Sequence, residues 1–219
     1  MFPLYDTARS RKFPLINLLL IGANAFAFFL ELGMTPGELE AFIFANGLIP
    51  AQLLGNPPAE WMTIFTSMFL HGGWFHIISN MWVLYIFGDN IEARMGAMVY
   101  FVFYLLSGVA AAFLQTVVDP ASQVPMIGAS GAVAGVLGAY LVLYPRSRIA
   151  SLVPIFFIFT IVELPAFVFL VFWFISQLYS GLFALQGSAG GIAWWAHVGG
   201  FLFGIFIALI FGRRAAYRY

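Results

Sequence analysis

Long hydrophobic runs separated by short polar stretches make up most of this chain. About 20 consecutive apolar residues are needed to cross the hydrocarbon core of a bilayer, and six runs reach or approach that length. The pattern predicts six transmembrane helices in an all-α polytopic membrane protein, with residues 14–212 forming one membrane domain. The predicted spans are residues 14–33, 73–88, 97–116, 127–144, 164–184 and 194–211.

Four stretches lie outside these runs or between them. Residues 34–60 are acidic and rich in Gly and Pro, and they are predicted to form an outer loop in the membrane interface. Residues 149–163 are apolar but interrupted by proline, which predicts an interfacial or re-entrant lead into the fifth span. Residues 1–13 and the basic tail 213–219 would be short cytoplasmic segments.

Basic residues occupy alternate loops, and this placement sets the predicted orientation. All nine lie before the first span, between the second and third, between the fourth and fifth, or after the sixth. The remaining loops carry no basic residue and hold Glu38, Glu40, Glu60 and Asp119. Because cytoplasmic loops carry the excess of Lys and Arg, both termini are predicted to be cytoplasmic. Spans two, four and six then run from outside to inside.

The composition agrees with a protein embedded in a lipid bilayer. The chain is 63% hydrophobic and 8% charged, whereas about a quarter of the residues in a soluble domain are charged. The formal net charge is zero, which argues against nucleic acid as a partner. The chain has no cysteine, so disulfides and thiolate metal sites are excluded.

Four polar residues lie at similar depth in three of the predicted spans. His76 and Asn80 fall in the first two turns of span two, Ser130 in the first turn of span four, and His197 in the first turn of span six. At about 1.5 Å of rise per residue, all four lie in the outer third of the bilayer. Polar side chains are costly there unless they face one another or a water-filled cavity, so the pattern predicts a functional site.

Ser130 and His197 are the residues that could perform chemistry together. A serine hydroxyl is a weak nucleophile until a neighbouring base takes its proton, and His197 is the one histidine in the carboxyl-terminal half. Neither span contains a carboxylate, so a dyad fits better than a triad, with Asp119 as a weaker third candidate. The alternative is that Ser130 only bonds a backbone carbonyl. The pair supports the hypothesis of a protease that works inside the bilayer.

Glycines next to these two residues predict that spans four and six are in close contact. The patterns Gly131-x-x-x-Gly135 and Gly200-x-x-x-Gly204 are of the kind that lets helix backbones approach closely. Each pattern begins within three residues of a candidate catalytic group. A close contact would allow the hydrogen bond of about 3 Å that a nucleophile and its base require.

An acyl-transfer site also needs hydrogen-bond donors for the oxyanion. The start of the fourth span offers unpaired backbone N–H groups at Ser130. His76 and Asn80 lie four residues apart on one helical face, although each could instead have a capping or packing role. His76, His197 and Asp119 could in principle share a cation, but no His-x-x-x-His motif supports it. We predict neither a metal nor a cofactor.

At these residues the chain resembles the rhomboid intramembrane serine proteases. The resemblance implies a rhomboid-like bundle, with Ser130 as nucleophile, His197 as general base, and an oxyanion hole formed by His76, Asn80 and the Ser130 N–H. It also implies cleavage of transmembrane segments of other proteins near their outer end. Four motifs carry it: His71-Gly-Gly-Trp-Phe-His76-Ile-Ile-Ser-Asn80, Gly88-Asp-Asn-Ile-Glu92-Ala-Arg94-Met-Gly96, Gly128-Ala-Ser130-Gly131 and Ala196-His197-Val-Gly-Gly200-Phe-Leu-Phe-Gly204.

Two positions depart from the patterns of certain relatives, and one of them is Trp61-Met62, where some relatives carry Trp-Arg. Ala134 replaces an aromatic residue that stacks on the catalytic histidine, so Trp194 or Trp195 would have to steady His197 here.

Six spans without a targeting extension suggest a bacterial inner membrane. Two other classes stay open: an inactive rhomboid-like protein that binds membrane clients, and a small transporter. The chain keeps both the serine and the histidine, and it shows neither the repeats nor the midplane charges typical of transporters.

Overall fold

The computed structural model describes residues 2–8, 10, 12–155, 158–185 and 192–216. Helices predominate, and a short 3₁₀ turn, Ser67–Phe69, precedes the sixth of them. The helices are α1 (Leu15–Leu32), α2 (Pro36–Asn46), α3 (Pro50–Gly55), α4 (Pro57–Glu60), α5 (Thr63–Thr66), α6 (Trp74–Met95), α7 (Ala97–Val118), α8 (Ser130–Leu143), α9 (Ala166–Ala184) and α10 (Trp194–Ala216). The strands are β1 (Phe2–Asp6), β2 (Arg148–Ile155) and β3 (Ile158–Pro165).

Each predicted span coincides with one helix of the bundle. Helices α1, α7, α9 and the Trp194–Phe211 part of α10 are long and apolar enough to cross a membrane, so the chain is an integral membrane protein. Helix α6 has 22 residues, with Asp89, Glu92 and Arg94 in its last turns. Helix α8 has only 14 residues, or about 21 Å of rise. That all six helices cross the membrane, in the predicted orientation, stays a prediction.

Helix α8 lies at the centre of the bundle and is in close contact with α10. Its residues from Gly131 to Tyr140 are all buried. A Cβ atom on Gly200 would overlap the carbonyl oxygen of Gly131, and one on Gly204 would overlap that of Gly135. The four glycines predicted to form close-packing faces therefore meet at one interface, where the two backbones are in direct contact.

Buried polar contacts attach the start of α1 to α6 and α7. The Glu92 carboxylate accepts the backbone N–H groups of Ile16 and Asn17 at 3.1 and 2.8 Å. Tyr100 donates its hydroxyl hydrogen to Asn17 Oδ1 at 2.7 Å. The first N–H groups of a helix have no partner within the helix, and a carboxylate there also suits the helix dipole. Glu92 thus caps α1 from a neighbouring helix.

A three-stranded antiparallel sheet in the order β1-β2-β3 departs from the predicted all-α fold. Strands β2 and β3 form a hairpin in which Ile149 faces Leu164. Strand β1 pairs with the other edge of β2, with Phe2 facing Leu152. The prediction is wrong here because residues 149–163 are rich in β-branched and aromatic side chains, which favour strands. Their interfacial location stays a prediction.

The sheet is held to the bundle through β1. The indole Nε1 of Trp82 in α6 donates to the Pro3 carbonyl oxygen at 2.6 Å. The Asp6 carboxylate accepts hydrogen bonds from Asn90 Nδ2 at 3.0 Å and from the Tyr140 hydroxyl. Burial disfavours the charged form of this carboxyl and raises the pKa of Asp6 to about 6. Residues predicted as a cytoplasmic segment therefore contact both α6 and α8.

Candidate active site

Ser130 and His197 are in direct contact. Ser130 is the first residue of α8 and His197 lies in the first turn of α10. The distance from Ser130 Oγ to His197 Nε2 is 2.8 Å, which is the length of an ordinary hydrogen bond. The glycine contacts between α8 and α10 account for this short distance, since both residues lie at the same end of the interface.

The pair lines a cavity of about 710 Å³ between the helices and the segments that lead into them. Ser130, His197, His76 and Asn80 all line it, so the structure brings the four predicted polar residues together. A site that holds polar groups among apolar helices is the environment in which such residues are tolerated in a membrane protein. Other lining residues are Met68, Phe75, Gly128 and Trp173.

Backbone hydrogen bonds from the preceding segments fix the start of α8. Leu48 and Met126 exchange two bonds, of 3.1 Å from the Leu48 N–H and 2.7 Å from the Met126 N–H. The Gly128 N–H donates to the Ser67 carbonyl oxygen at 2.9 Å. The segment that leads into Ser130 is therefore held by the segment between α2 and α3 and by the turn before α6.

His76 and Asn80 converge on Gly128, two residues before α8 begins. A Cβ on Gly128 would lie 2.5 Å from His76 Nε2 and 3.7 Å from Asn80 Nδ2. The Gly72 N–H donates to His76 Nδ1 at 3.4 Å, which leaves the ring hydrogen on Nε2. Asn80 Nδ2 is buried and has no hydrogen-bond partner among the described residues. Two nitrogen donors of residues that line the cavity thus lie next to Gly128, two residues before Ser130.

His71 lies beside the cavity and anchors the turn before α6. Its backbone N–H is 3.2 Å from each oxygen of the buried Glu31 carboxylate. Its ring Nδ1 is 3.2 Å from the Phe69 carbonyl oxygen. The His71 and His76 rings are 4.9 Å apart and nearly edge to face. Glu31 is the part of this arrangement that the sequence did not indicate.

Gln177 in α9 is a contact of His197 that sequence reasoning missed. Its Oε1 lies 2.8 Å from His197 Nδ1. The sequence signal that could have indicated Gln177 was a polar side chain within an apolar span, one turn after Trp173. The Trp173 and Trp194 rings lie 6.2 and 5.9 Å from the imidazole, so Trp194 occupies one of the positions expected to compensate for Ala134.

Asp119, the weaker third candidate, lies at the end of α7 and lines a separate cavity of about 140 Å³. It is not among the described residues that line the cavity of Ser130. Within the described ranges, no three His, Asp or Glu side chains are close enough to share a metal ion. Ser130, His197, His76 and Asn80 line the cavity, and Gln177 bonds His197 from α9.

The apolar helices surround a half-buried serine–histidine pair, so the chain is a helical membrane protein with a polar site between its helices. A sequence model of the Rhomboid domain matches residues 58–214. The chain therefore belongs to the rhomboid family, as its four motifs predicted.

Three relatives illustrate how far the similarity extends. Rhomboid-like protein 11, chloroplastic, of Arabidopsis thaliana is 38% identical over 94 residues, covering 43% of this chain and 33% of the relative. The mitochondrial presenilin-associated rhomboid-like protein of Bos taurus is 33% identical over 181 residues, covering 75% of this chain and 44% of the relative. The putative rhomboid protease YdcA of Bacillus subtilis is 32% identical over 88 residues, covering 40% of this chain and 44% of the relative.

The matched region spans less than half the length of each of these relatives. Two of their names specify a chloroplast or a mitochondrion. The predicted bacterial inner membrane therefore finds no support in them, while the assignment to an integral membrane protein stands.

Proposed function

We propose that the chain is an intramembrane serine endopeptidase that cleaves transmembrane segments of other membrane proteins near their outer end. The observation that carries the proposal is the 2.8 Å contact between Ser130 Oγ and His197 Nε2 inside a cavity of about 710 Å³. A nucleophile in contact with its base, in a space large enough for a peptide segment, is what acyl transfer requires. A protein that only binds clients has no need of that contact.

The proposed topology has six spans with both termini cytoplasmic. Helices α2 to α4 then belong to an outer interfacial loop, residues 34–60, and Ser130 lies in the outer third of the bilayer. The short helix α8 supports this placement, because a 14-residue helix that ends near the inner surface begins below the outer one. Water and substrate would reach Ser130 from the outer side.

The first step proposed is attack on a substrate carbonyl. Ser130 Oγ forms a bond to the carbonyl carbon while His197 Nε2 accepts the hydroxyl proton. The carbonyl oxygen becomes an oxyanion bound to a tetrahedral carbon. His197 carries the proton and a positive charge until the next step.

Three donors are available to the oxyanion. They are Asn80 Nδ2, His76 Nε2–H and the backbone N–H of Ser130 at the positive end of the α8 dipole. Asn80 supports this role most directly, because its buried amide nitrogen has no partner within the described residues. A buried donor without a partner is costly, and a developing negative charge would supply the missing bond.

Collapse of the tetrahedral intermediate completes acylation. The C–N bond breaks, and His197 returns its proton to the leaving amine. Water then attacks the acyl-enzyme, with His197 again accepting a proton, and Ser130 Oγ leaves as the restored hydroxyl. The products are two shorter peptides with a new carboxylate and a new amine.

The site also restricts which segments could be cut. A regular helix in lipid satisfies its carbonyls internally, so a scissile carbonyl reaches Ser130 only where the substrate helix is locally opened. We propose substrates whose outer end contains helix-destabilising and small residues at the cut.

Cleavage of a single-span test substrate by purified protein in liposomes tests the proposal. Wild-type protein should produce two fragments, and mass spectrometry should place the cut in the outer half of the span. Ser130→Ala and His197→Ala should abolish cleavage while each protein keeps its unfolding temperature within a few degrees. A fluorophosphonate probe should label wild-type protein and fail to label Ser130→Ala. Cleavage or labelling that survives Ser130→Ala would refute the assignment.

A further inference from the structure

The imidazole of His197 is bonded through both nitrogens. Nε2 lies 2.8 Å from Ser130 Oγ on α8, and Nδ1 lies 2.8 Å from Gln177 Oε1 on α9. The side chain of Gln177 is buried. Three neighbouring helices thus place a hydroxyl, an imidazole and an amide in one hydrogen-bonded chain.

Other hydrogen bonds fix which end of the Gln177 amide faces the histidine. Its Nε2 donates to Ser176 Oγ at 2.9 Å and to the Trp173 carbonyl oxygen at 3.3 Å. Both amide hydrogens are therefore used within α9, and the oxygen is left toward His197. Because O and N of an amide are assigned from such a network, these two bonds are what establish the orientation.

The orientation of the amide determines the tautomer of the histidine. A carboxamide oxygen only accepts hydrogen bonds, so His197 Nδ1 must carry the hydrogen in this contact. The lone pair of the neutral ring then lies on Nε2, facing Ser130 Oγ. This is the tautomer that can take the proton of the serine hydroxyl, and the opposite one cannot.

The aromatic rings near His197 do not select its tautomer. Trp194 meets the imidazole edge-on at 5.9 Å and Trp173 lies tilted at 6.2 Å. Apolar contacts restrict how far the imidazole can tilt, but they do not distinguish one ring nitrogen from the other. Gln177 is the described side chain that bonds Nδ1.

We infer that Gln177 is a positioning residue of the reaction. It is the third member of the hydrogen-bonded chain Ser130–His197–Gln177. The inference rests on the proposed function for its kinetic consequences. An amide suits this buried position because it fixes the tautomer without placing a second charge in an apolar helix. In hydrolases with a serine–histidine–aspartate triad, a carboxylate holds the same nitrogen.

Three variants separate a positioning role from a packing role. Gln177→Met keeps the length and apolar stem but removes the acceptor. Gln177→Glu keeps an acceptor at the same distance. Gln115→Met is the matched control, because Gln115 Oε1 bonds the Ala196 backbone N–H at 3.3 Å. It makes the same substitution one residue from His197 without touching the ring.

Kinetics with a single-span test substrate provide the first readout. Partners that orient a functional histidine typically contribute about tenfold to a hundredfold, so Gln177→Met should lower kcat by that factor. KM should stay within about twofold, because no substrate contact is lost. Gln177→Glu should restore much of kcat. The acidic limb of its kcat–pH profile should move to higher pH, because the carboxylate stabilises the protonated ring of His197. Gln115→Met should keep the wild-type kcat and pH profile.

Nitrogen-15 NMR of histidine-labelled protein provides a readout that needs no activity. The chain has three histidines, and the His197 signals are identified by their loss in His197→Asn. Wild-type protein should show a protonated Nδ1 and an unprotonated Nε2, and Gln177→Met should show a mixture of both tautomers. An unchanged tautomer in Gln177→Met, or an equal loss of kcat in Gln115→Met, would overturn the inference. If wild-type protein cleaved nothing, the proposed function would fail while the tautomer would still decide the role of Gln177.

Discussion

The carbonyl oxygen of Gly131 occupies the space in which Gly200 would carry a Cβ atom. This contact joins α8 and α10 close to the point where Ser130 bonds His197. The neighbour is a backbone atom that cannot rotate away, so the separation of the two helices is fixed by the absence of a side chain at Gly200.

We predict that Gly200→Ala forces α8 and α10 apart and lowers both stability and activity. Overpacking of a tight contact typically costs about 1–3 kcal/mol, and a shift of even 1 Å would break the hydrogen bond between Ser130 and His197. The unfolding temperature and fluorophosphonate labelling of Ser130 measure the two effects. Gly22→Ala is the control, because nothing lies within 4 Å of its Cβ position. Wild-type labelling in Gly200→Ala would contradict the prediction.

Replacing Asn80 tests the oxyanion role. Removal of one donor to the oxyanion typically lowers kcat by roughly 10²–10³, and Asn80→Ala should show a loss of that size with KM little changed. The unfolding temperature should stay close to that of wild type, since Asn80 Nδ2 makes no hydrogen bond within the described structure. A normal kcat would show that the amide does not act on the transition state.

Gly128 offers a test of His76 without replacing the histidine. Gly128 has a φ of +115°, and an added Cβ would lie 2.5 Å from His76 Nε2. We expect Gly128→Ala to displace the His76 ring and lower kcat by more than about tenfold, as loss of a preorganised donor does. Gly96→Ala is the control for backbone strain, because Gly96 has a φ of +86° but open space around it. Equal effects of the two substitutions would mean that strain alone is responsible.

The carboxyl of Asp6 should make stability depend on pH. Burial, opposed by the Tyr140 hydrogen bond and reinforced by the charge of Asp89, raises its pKa from 3.8 to about 6. A carboxyl with a raised pKa in the folded protein stabilises the fold at low pH, and this contribution is lost as the pH rises through about 6. The unfolding temperature of wild-type protein should therefore fall between about pH 4 and pH 7. Asp6→Asn should remove that fall, and a variant that keeps it would show that another group is responsible.

The apolar pattern was sufficient to locate the helices of the bundle, because each needs a continuous hydrophobic run. The meeting of Ser130 and His197 was also predictable, since the glycines that allow it lie within three residues of each. The sheet was not predicted. Pairing of Phe2 with Leu152 depends on two segments far apart in the chain, and neither strand forms a stable structure alone.

Gln177 and Glu31 show a second limit of sequence reasoning. Each is one of a few polar residues in a long apolar helix, where snorkelling or capping is an equally good explanation. Only the packing of α9 against α10 shows that Gln177 faces Nδ1 of His197, and only the turn before α6 shows that Glu31 binds the His71 N–H. Helix periodicity gives the face on which a residue lies, but not the neighbour that this face will meet.

The position of β1 at the edge of β2 imposes an order on biosynthesis. Its hydrogen-bonding partner β2 is synthesised only after α8, so the first strand stays without that partner while α1 to α8 are made. Completion of the sheet is thus a late event in maturation, and a protease added to nascent chains should remove β1 until β2 has emerged.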